Sequence, residues 1–381
     1  MDEKKPFMSE SAIGIEPATA VDAVDGILER AARLNASDVH IDPRADDILV
    51  RFRIDGEVEQ AGVLPRRLHE EMIARLKIMS GARTDIHAVP QDGRFMAELC
   101  GRPYNVRISF MPTYRGENFV ARLLPAQAAE SLSFAALGFT PDHAAKMSSA
   151  ALATNGLILV TGPTGSGKTT TLRVFLGLKS SMPLSVMTLE DPVEYEVPGV
   201  RQVHISQSHG VSFASGLRAA VRQDPDVIMV GEIRDEETAR TAVHTALTGH
   251  LVLSTLHTVS ALEAILRLSD MGVERYLMAA TLRLIVGQRL VRRICDKCAG
   301  DAGRADRCEV CRGTGYSGRS VIAEVCEVDH MMRGLIAGGA SQSVLREHAL
   351  SNGFRTMSED AGEKVDWGVT TAEEAVKALY S

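Results

Sequence analysis

The sequence predicts an α/β protein with two folded parts, an α+β domain followed by a domain built on a parallel sheet. Apolar and polar residues alternate in short segments over residues 20–125, which is typical of half-buried strands. Beyond residue 150, short apolar runs alternate with helical stretches, the pattern of βαβ units. A glycine-rich segment at 162–169 follows the first of these runs and precedes a helical stretch. That position is typical of a phosphate-binding loop.

The composition bounds the class of protein. With 381 residues, of which 45% are hydrophobic, the chain is long enough for two or three domains with proper cores. A formal net charge of −7 argues against a dedicated nucleic-acid binder, which usually carries a strong basic excess. The sequence contains no apolar run of the length that spans a membrane, about 18 residues. No apolar segment follows the polar N-terminus either, so a signal peptide is not expected.

The first predicted domain covers residues 20–125, after a tail at 1–19 that is interpreted as flexible. Helical spacing of apolar residues predicts one helix over 21–34 and another near 68–79. Asp55-Gly56 lies between two alternating segments and is a hairpin signal. Strands are predicted at 38–43, at 48–58 with this turn inside, and at 93–99, 104–110 and 118–124.

The second predicted domain covers residues 150–381 and follows a connector at 126–149. Its predicted parallel strands are 157–160, 185–189, 227–230 and 251–255. A cysteine-rich insert is predicted at 289–325, and helices complete the chain over 326–381.

The glycine-rich segment fits the P-loop pattern G-x-x-x-x-G-K-[ST]. Its glycines let backbone N–H groups converge on phosphate oxygens, and the N-terminus of the next helix adds positive potential. We expect Lys168 to reach the β- and γ-phosphates of a nucleoside triphosphate and the Thr169 hydroxyl to bind Mg²⁺. A chance glycine-rich turn is the alternative, which the strand–loop–helix setting disfavours. The predicted nucleotide-binding residues are Gly162, Pro163, Thr164, Gly165, Ser166, Gly167, Lys168, Thr169 and Thr170.

Hydrolysis requires a base that positions the attacking water. The predicted strand 227–230 ends in Gly231-Glu232, where P-loop proteins usually have Asp-Glu. Because Glu232 follows the carboxyl end of a strand, where α/β sites assemble, we predict that it polarises this water. The alternative is a solvated glutamate that begins a run of charged residues.

Two other strand ends also carry polar groups. Glu190 follows the strand 185–189, and its carboxylate can hold metal-bound waters. His257 follows the strand 251–255 and is predicted to contact the γ-phosphate. The alternatives are an acidic turn and a structural histidine. Polar groups at three strand ends of one parallel sheet favour the functional interpretation.

Four motifs in this order resemble those of the ATPases of type II secretion and type IV pilus assembly. Residues 162–169 resemble that family's Walker A motif. Residues 188–194 resemble its Asp box, and residues 217–235 resemble its atypical Walker B motif. Residues 248–258 resemble its His box. The likeness extends upstream to Ser37-Asp38-Val39-His40 and Gln91-Asp92-Gly93-Arg94, and it covers roughly residues 20–381.

The resemblance implies a PAS-like first domain, a RecA-like ATPase domain and a hexamer that binds nucleotide between the two domains. It also implies that arginines of the first domain approach the γ-phosphate, where a positive charge stabilises phosphoryl transfer. Arg94 and Arg107 are the candidates, and Arg218, Arg222 and Arg234 are possible additions. For each arginine the alternative is a solvated surface position.

Two C-x-x-C pairs separated by nine residues predict a structural Zn²⁺ site, because four thiolates at this spacing can surround a tetrahedral ion. The predicted ligands are Cys295, Cys298, Cys308 and Cys311. Reduced thiols in a mobile hairpin are the alternative, although so small an insert rarely folds without metal. A tetracysteine insert resembles the extension branch of the family. Cys100 and Cys326 lie apart from this cluster and are expected to be buried small apolar residues.

Taken together, the resemblance implies a hexameric ATPase with Mg²⁺ and Zn²⁺ that drives pilin or pseudopilin assembly. It implies a location at the cytoplasmic face of the bacterial inner membrane, with peripheral association through a docking protein and a membrane-embedded platform protein. No direct nucleic-acid partner is expected. The alternatives are a conjugation-type or DNA-translocating ATPase and a nucleotide-binding switch with little turnover. Longer family members carry an extra N-terminal docking domain, whereas only about 20 residues precede the first domain here.

Overall fold

A computed structural model of the protein describes residues 19–126, 132–194, 196–206 and 210–380. Residues 1–18 of the predicted tail lie outside this part of the chain. Two compact units are present, each with its own hydrophobic core, and their combination of helices and sheets confirms the predicted α/β class. Among the described residues, the first unit comprises 19–126 with 301–314, and the second comprises 132–300 with 315–380, apart from 195 and 207–209.

The first unit contains a six-stranded antiparallel sheet with strand order β3-β2-β1-β6-β5-β4. Its strands are β1 (Asp38–Pro43), β2 (Asp47–Ile54), β3 (Glu57–Pro65), β4 (Gln91–Leu99), β5 (Arg102–Thr113) and β6 (Gly116–Pro125). Two helices of this unit pack against each other, α1 (Ala20–Arg33) and α2 (His69–Ser80). The predicted helices and strands are therefore present, with bounds shifted by a few residues.

Local sequence accounts for the ends and faces of these elements. Along β2, buried and partly exposed residues alternate, so one face of the strand lines the core. The predicted hairpin turn has positive φ angles at both Asp55 and Gly56, as a two-residue type I′ turn requires. Helix α1 begins after Thr19, whose hydroxyl accepts a hydrogen bond from the N–H of Asp22 at 3.1 Å.

The second unit contains a seven-stranded sheet with strand order β13-β12-β7-β11-β10-β8-β9. Its strands are β7 (Gly156–Thr161), β8 (Val186–Glu190), β9 (Val200–His204), β10 (Val227–Val230), β11 (Leu251–Leu256), β12 (Leu282–Ile294) and β13 (Tyr316–Glu327). All neighbouring pairs are parallel except β12 and β13. Helices cover both faces of this sheet, so β7, β8, β10 and β11 are buried at every residue.

Eleven further helices follow β6 in the described part of the chain. They are α3 (Pro141–Ala151), α4 (Lys168–Ser180), α5 (Phe213–Val221), α6 (Glu236–Leu247), α7 (Glu263–Asp270), α8 (Arg275–Thr281), α9 (Ala302–Ala305), α10 (His330–Ala337), α11 (Gln342–Ser351), α12 (Met357–Asp366) and α13 (Ala372–Tyr380). Helix α3 begins inside the predicted connector. Across the described ranges, no helix combines the length and the apolar character needed to cross a bilayer.

The structure narrows the cysteine-rich insert to the residues between β12 and β13. Residues 289–294 and 316–325, which sequence reasoning assigned to the insert, continue these two strands. Arginines obscured the strand pattern in β12. The guanidinium of Arg292 lies 4.2 Å from the ring centroid of Tyr316 and 2.5 Å from Glu374, so its charge is satisfied by residues distant in sequence.

Candidate nucleotide-binding site

Four parallel strands of the second unit end at the same edge of the sheet. One register row runs across β8, β10, β11 and β7 through Leu189, Val230, Ser254 and Leu159. The chain leaves each strand one to three residues later. This edge therefore gathers the polar residues that follow the strands, namely the P-loop, Glu190, Glu232 and His257.

The P-loop connects β7 to α4, and its shape depends on glycine at its first position. Gly162 has a φ of 149°, and a β-carbon there would overlap the carbonyl oxygen of Gln288. Gly167 has a left-handed φ of 85° immediately before α4 begins at Lys168. Thr169 is exposed at the start of this helix, where N–H groups and hydroxyls are accessible to a ligand.

Gln288 of β12 fixes the P-loop, and sequence reasoning missed this residue. Its side-chain amide donates a hydrogen bond of 2.7 Å to the carbonyl of Ser166 and accepts one of 2.8 Å from the hydroxyl of Thr171. Gln288 is completely buried, so both bonds are shielded from water. A polar residue within the apolar run of β12 was the only sequence signal available.

Lys168 lies within the P-loop and is largely buried. Its ammonium group donates hydrogen bonds to the carbonyls of Gly162 at 2.8 Å and Pro163 at 2.9 Å. Burial lowers the pKa of Lys168 to about 8, and the nearby carboxylate of Glu232 partly opposes this shift. Burial therefore deprives the charged ammonium group of part of its hydration. An anionic ligand can stabilise the charge in place of the lost water.

We expect nucleotide binding to be coupled to proton uptake by Lys168. Near pH 8 about half of the Lys168 side chains are protonated, because their pKa is about 8. Bound phosphates raise this pKa, so binding at pH 8 takes up about half a proton per site, and less at pH 7. Calorimetry of Mg²⁺-ADP binding in buffers of different ionisation enthalpy measures the number of protons taken up per site. The variant Glu232→Gln should increase the uptake, whereas equal uptake at both pH values would contradict the assignment.

Glu232 lies between a histidine and an arginine. Its Oε2 is 3.4 Å from Nε2 of His257, and its Oε1 is 2.6 Å from a guanidinium nitrogen of Arg234. The hydrogen bond to Glu232 raises the pKa of Arg234. Only 17% of the Glu232 side chain is exposed, against 46% for His257 and 61% for Arg234. The carboxylate is thus held at the rim of the sheet edge, close to the charge of Lys168.

Glycine at position 231 has a steric basis. The Gly231 N–H donates to the Leu189 carbonyl at 2.8 Å, and its own carbonyl accepts from the Thr255 hydroxyl at 2.8 Å. A β-carbon on Gly231 would lie 3.2 Å from the Leu189 carbonyl and 3.5 Å from the Phe213 ring. A side chain at this position would require the Leu189 carbonyl to shift by a few tenths of an ångström, and the first carboxylate after β10 is Glu232.

Glu190 is held in place by neighbours on β8 and β9. Its side chain is 7% exposed in the folded chain. Its Oε1 accepts hydrogen bonds from the Thr188 hydroxyl at 2.6 Å and from the Gln202 amide at 3.0 Å. The carboxylate is therefore fixed at the end of β8, at the same edge as the P-loop.

The predicted arginines of the first unit are neighbours on its sheet. Arg94 of β4 lies opposite Arg107 of β5, which in turn lies opposite Arg122 of β6. Arg122 donates a hydrogen bond of 3.0 Å to Asp38. The strand register thus places Arg122 in line with the other two arginines, which the sequence alone did not indicate.

The three additional arginines have partners within the second unit. Arg218 forms an ion pair of 2.8 Å with Glu237, and Arg222 donates a hydrogen bond of 2.9 Å to the carbonyl of Arg218. Arg234 is the member of this set that contacts Glu232.

The four cysteines of the insert come together as predicted. Their sulfur atoms all lie within 4.8 Å of one another, and all four residues are buried. Sulfurs bound at about 2.3 Å to a tetrahedral Zn²⁺ are separated by about 3.8 Å, so the cluster has the size and donor set of a zinc site. The residues that form it are Cys295, Cys298, Cys308 and Cys311.

The two halves of this cluster repeat one backbone motif. The N–H of Ala299 donates to the carbonyl of Cys295, and the N–H of Arg312 donates to the carbonyl of Cys308, each at 2.8 Å. Ala299 and Arg312 have nearly equal positive φ angles, 53° and 54°, and each is followed by a glycine with positive φ. This repetition shows that both C-x-x-C pairs form the same turn.

The two remaining cysteines differ from each other. Cys326 is buried as predicted, and burial raises the pKa of its thiol to about 12. The prediction for Cys100 was wrong, because Cys100 is exposed at the turn between β4 and β5 and lies beside Glu29. A tight turn with a φ of 51° places it outside the core.

Comparison with known proteins identifies the family. The sequence model described as "Type II/IV secretion system protein" matches residues 16–377. "Type II secretion system protein HxcR" of Pseudomonas aeruginosa is 44% identical over 364 residues, which cover 94% of this chain and 77% of that protein. "Type IV pilus assembly ATPase PilB" of Thermus thermophilus is 39% identical over 388 residues, which cover 96% of this chain and 44% of that protein.

A solved structure supports the same relationship. The crystal structure of "the Pilus Retraction Motor PilT and Bound ADP" aligns with a TM-score of 0.69 and 28% identity, covering 95% of this chain and 97% of that one. The resemblance inferred from the four motifs is thus confirmed. The family model matches residues 16–377, and a relative is 44% identical over 364 residues. This chain therefore belongs to the type II/IV secretion system protein family.

Proposed function

We propose that this chain hydrolyses ATP to power pilin or pseudopilin assembly, in type II secretion or in type IV pilus biogenesis. The observation that carries the proposal is the single sheet edge at which Lys168, Glu232 and His257 meet. The relatives support it, since they are named as a type II secretion protein and as a type IV pilus assembly ATPase. The chain is accordingly an ATPase of the secretion and pilus-assembly family.

Each residue at this edge has a proposed role in hydrolysis. The P-loop N–H groups and Lys168 bind the phosphates of ATP. Glu232 polarises the attacking water, and His257 lies beside it to contact the γ-phosphate. The Thr169 hydroxyl and Glu190, through water, would hold Mg²⁺, which neutralises phosphate charge when bound.

The finer assignments of domain and assembly are also proposals. The second domain is RecA-like and the first PAS-like, with boundaries near residues 125 and 150. Arg94 and Arg107, aligned in one row on the first sheet, provide positive charge for the γ-phosphate in a homo-hexamer. The cysteine cluster binds Zn²⁺ and stabilises the insert, as in the extension branch.

We place the ATPase at the cytoplasmic face of the inner membrane, where a docking protein and a membrane-embedded platform protein would hold it. Secretion and pilus components of this kind act at a membrane, and no helix of the described residues is suited to span one. Binding to membrane-associated partners would bring the chain to the membrane without a spanning helix among the described residues. Direct binding to nucleic acid is not part of the proposal, in line with the net charge of −7.

A complementation experiment tests this function. In the encoding bacterium, Lys168→Ala should abolish either protein secretion or surface piliation, because it removes the phosphate-binding ammonium group. The exposed residue Glu236, paired with Arg240 rather than with a residue of the P-loop, provides the control variant Glu236→Gln, which should behave as wild type. Normal secretion and piliation with Lys168→Ala would contradict the proposal. Strong stimulation of purified ATPase by DNA, lost at high salt, would instead indicate a DNA motor.

A further inference from the structure

The loop that carries His257 is attached to the fold at two points. We refer to residues 257–261, between β11 and α7, as the His257 loop. Its first attachment is to Thr161 at the end of β7. The Thr258 N–H donates to the Thr161 hydroxyl at 2.9 Å, and the two hydroxyl oxygens are 2.5 Å apart. The start of the loop is therefore tied to the strand that leads into the P-loop.

The second attachment of the His257 loop is the carboxylate of Glu324 on β13. The Ala261 N–H donates to Oε1 of Glu324 at 2.5 Å. The Met357 N–H, at the first residue of α12, donates to Oε2 at 3.3 Å. Glu324 is only 6% exposed, and burial raises its pKa. One buried side chain thus joins the end of the loop to a C-terminal helix.

The hydrogen bond between Ala261 and Glu324 requires glycine at position 287, on the neighbouring strand β12. A β-carbon on Gly287 of β12 would lie 2.9 Å from the Ala261 nitrogen and 3.0 Å from Cγ of Glu324. Real β-carbons essentially never approach other atoms closer than 3.0 Å. The strand therefore lacks a side chain at the point where the loop and the carboxylate meet.

We propose that Glu324 is a positioning residue for ATP hydrolysis, acting by holding the His257 loop so that His257 stays beside Glu232. The inference rests on the proposed function of His257. The side chain of His257 is 46% exposed, and its Nε2 lies 3.4 Å from Oε2 of Glu232. Its placement consequently depends on the backbone of its loop. Misplacement of a catalytic group by about 1 Å can lower a rate substantially.

Steady-state kinetics of Glu324→Gln tests this inference. Glutamine has one acceptor oxygen and one amide donor, so one of the two N–H groups loses its partner. We expect kcat for ATP hydrolysis to fall about tenfold, with KM for ATP within about threefold of wild type. Gly287→Ala, which crowds the same contact, should give the same split between kcat and KM.

A matched control separates positioning from general destabilisation. Glu374 is also 6% exposed, and it accepts hydrogen bonds from the backbone and side chain of Arg292, remote from the His257 loop. Glu374→Gln should lower the thermal unfolding temperature without changing kcat. If both glutamine variants lower kcat equally, Glu324 has only a structural role.

A double-mutant cycle with His257→Ala makes the assignment specific. If Glu324 acts through His257, the double variant should have a kcat within about twofold of His257→Ala alone. If the fold-losses in kcat of the two single variants multiply in the double variant, the inference is overturned. If His257→Ala leaves kcat unchanged, the proposed role of His257 fails instead. If His257→Ala lowers kcat while Glu324→Gln and Gly287→Ala do not, only the positioning role fails.

Discussion

Replacing Glu232 by glutamine is expected to lower ATP turnover by about 10²- to 10⁴-fold, the contribution typical of a general base. Glutamine keeps the size of the side chain but removes the charge that polarises the attacking water. Nucleotide binding should persist, because the P-loop and Lys168 are unchanged. Turnover and the affinity for a fluorescent ATP analogue should be measured at pH 7, since Glu232 also raises the pKa of Lys168.

The control for this variant is Glu237→Gln. Glu237 is an exposed glutamate of the same charged run, and its partner is Arg218 rather than a residue of the sheet edge. Its substitution should leave turnover within about twofold of wild type, as for most surface changes. Unchanged turnover in Glu232→Gln would instead favour a nucleotide-binding switch, or a base elsewhere in the chain.

Replacing Cys308 by serine is expected to abolish zinc binding and to unfold the insert between β12 and β13. Three thiolates with one weak hydroxyl donor no longer form the tetrahedral set that the sulfur positions suit. We expect so small an insert to need a metal for folding, since structural zinc binds with about 10–16 kcal/mol in finger peptides. Metal analysis should show one zinc per wild-type chain, and proteolysis should cut the variant within residues 295–315.

The matched control is Cys100→Ser, because Cys100 is exposed and lies outside the cluster. This variant should retain its zinc and its resistance to proteolysis. The unfolding of the insert should be local, since the strands on either side belong to a continuous sheet. Wild-type protein that contains no metal and keeps a protease-resistant insert would contradict the zinc assignment.

Features set by consecutive residues could be predicted from the sequence. The P-loop is one such feature, because its glycines and Lys168 lie within eight residues in a recognisable spacing. The two C-x-x-C turns are another. In each, the N–H of the residue after the second cysteine donates to the carbonyl of the first cysteine. The strand ends at Glu190, Glu232 and His257 followed from the rule that parallel strands end at one edge.

The strands β12 and β13 were not recognised, and the reason is their polar content. Gln288 and four arginines interrupt the apolar pattern of β12 in the sequence. In the fold, Gln288 is satisfied by the P-loop and Arg292 by Tyr316 and Glu374. Because the partners lie far along the chain, periodicity could not distinguish these buried and partly buried polar residues from those of an exposed insert.

The sequence by itself determined the family, the P-loop motif, the four clustered cysteines and the alternation of strands and helices, because local spacing encodes each of them. The tertiary structure alone decided how the site is supported. Thr171 and Gln288 are 117 positions apart, and Ala261 and Glu324 are 63 apart, yet each pair shares a hydrogen bond. A side chain's partner depends on how the whole sheet is ordered, and no local pattern of residues specifies that order.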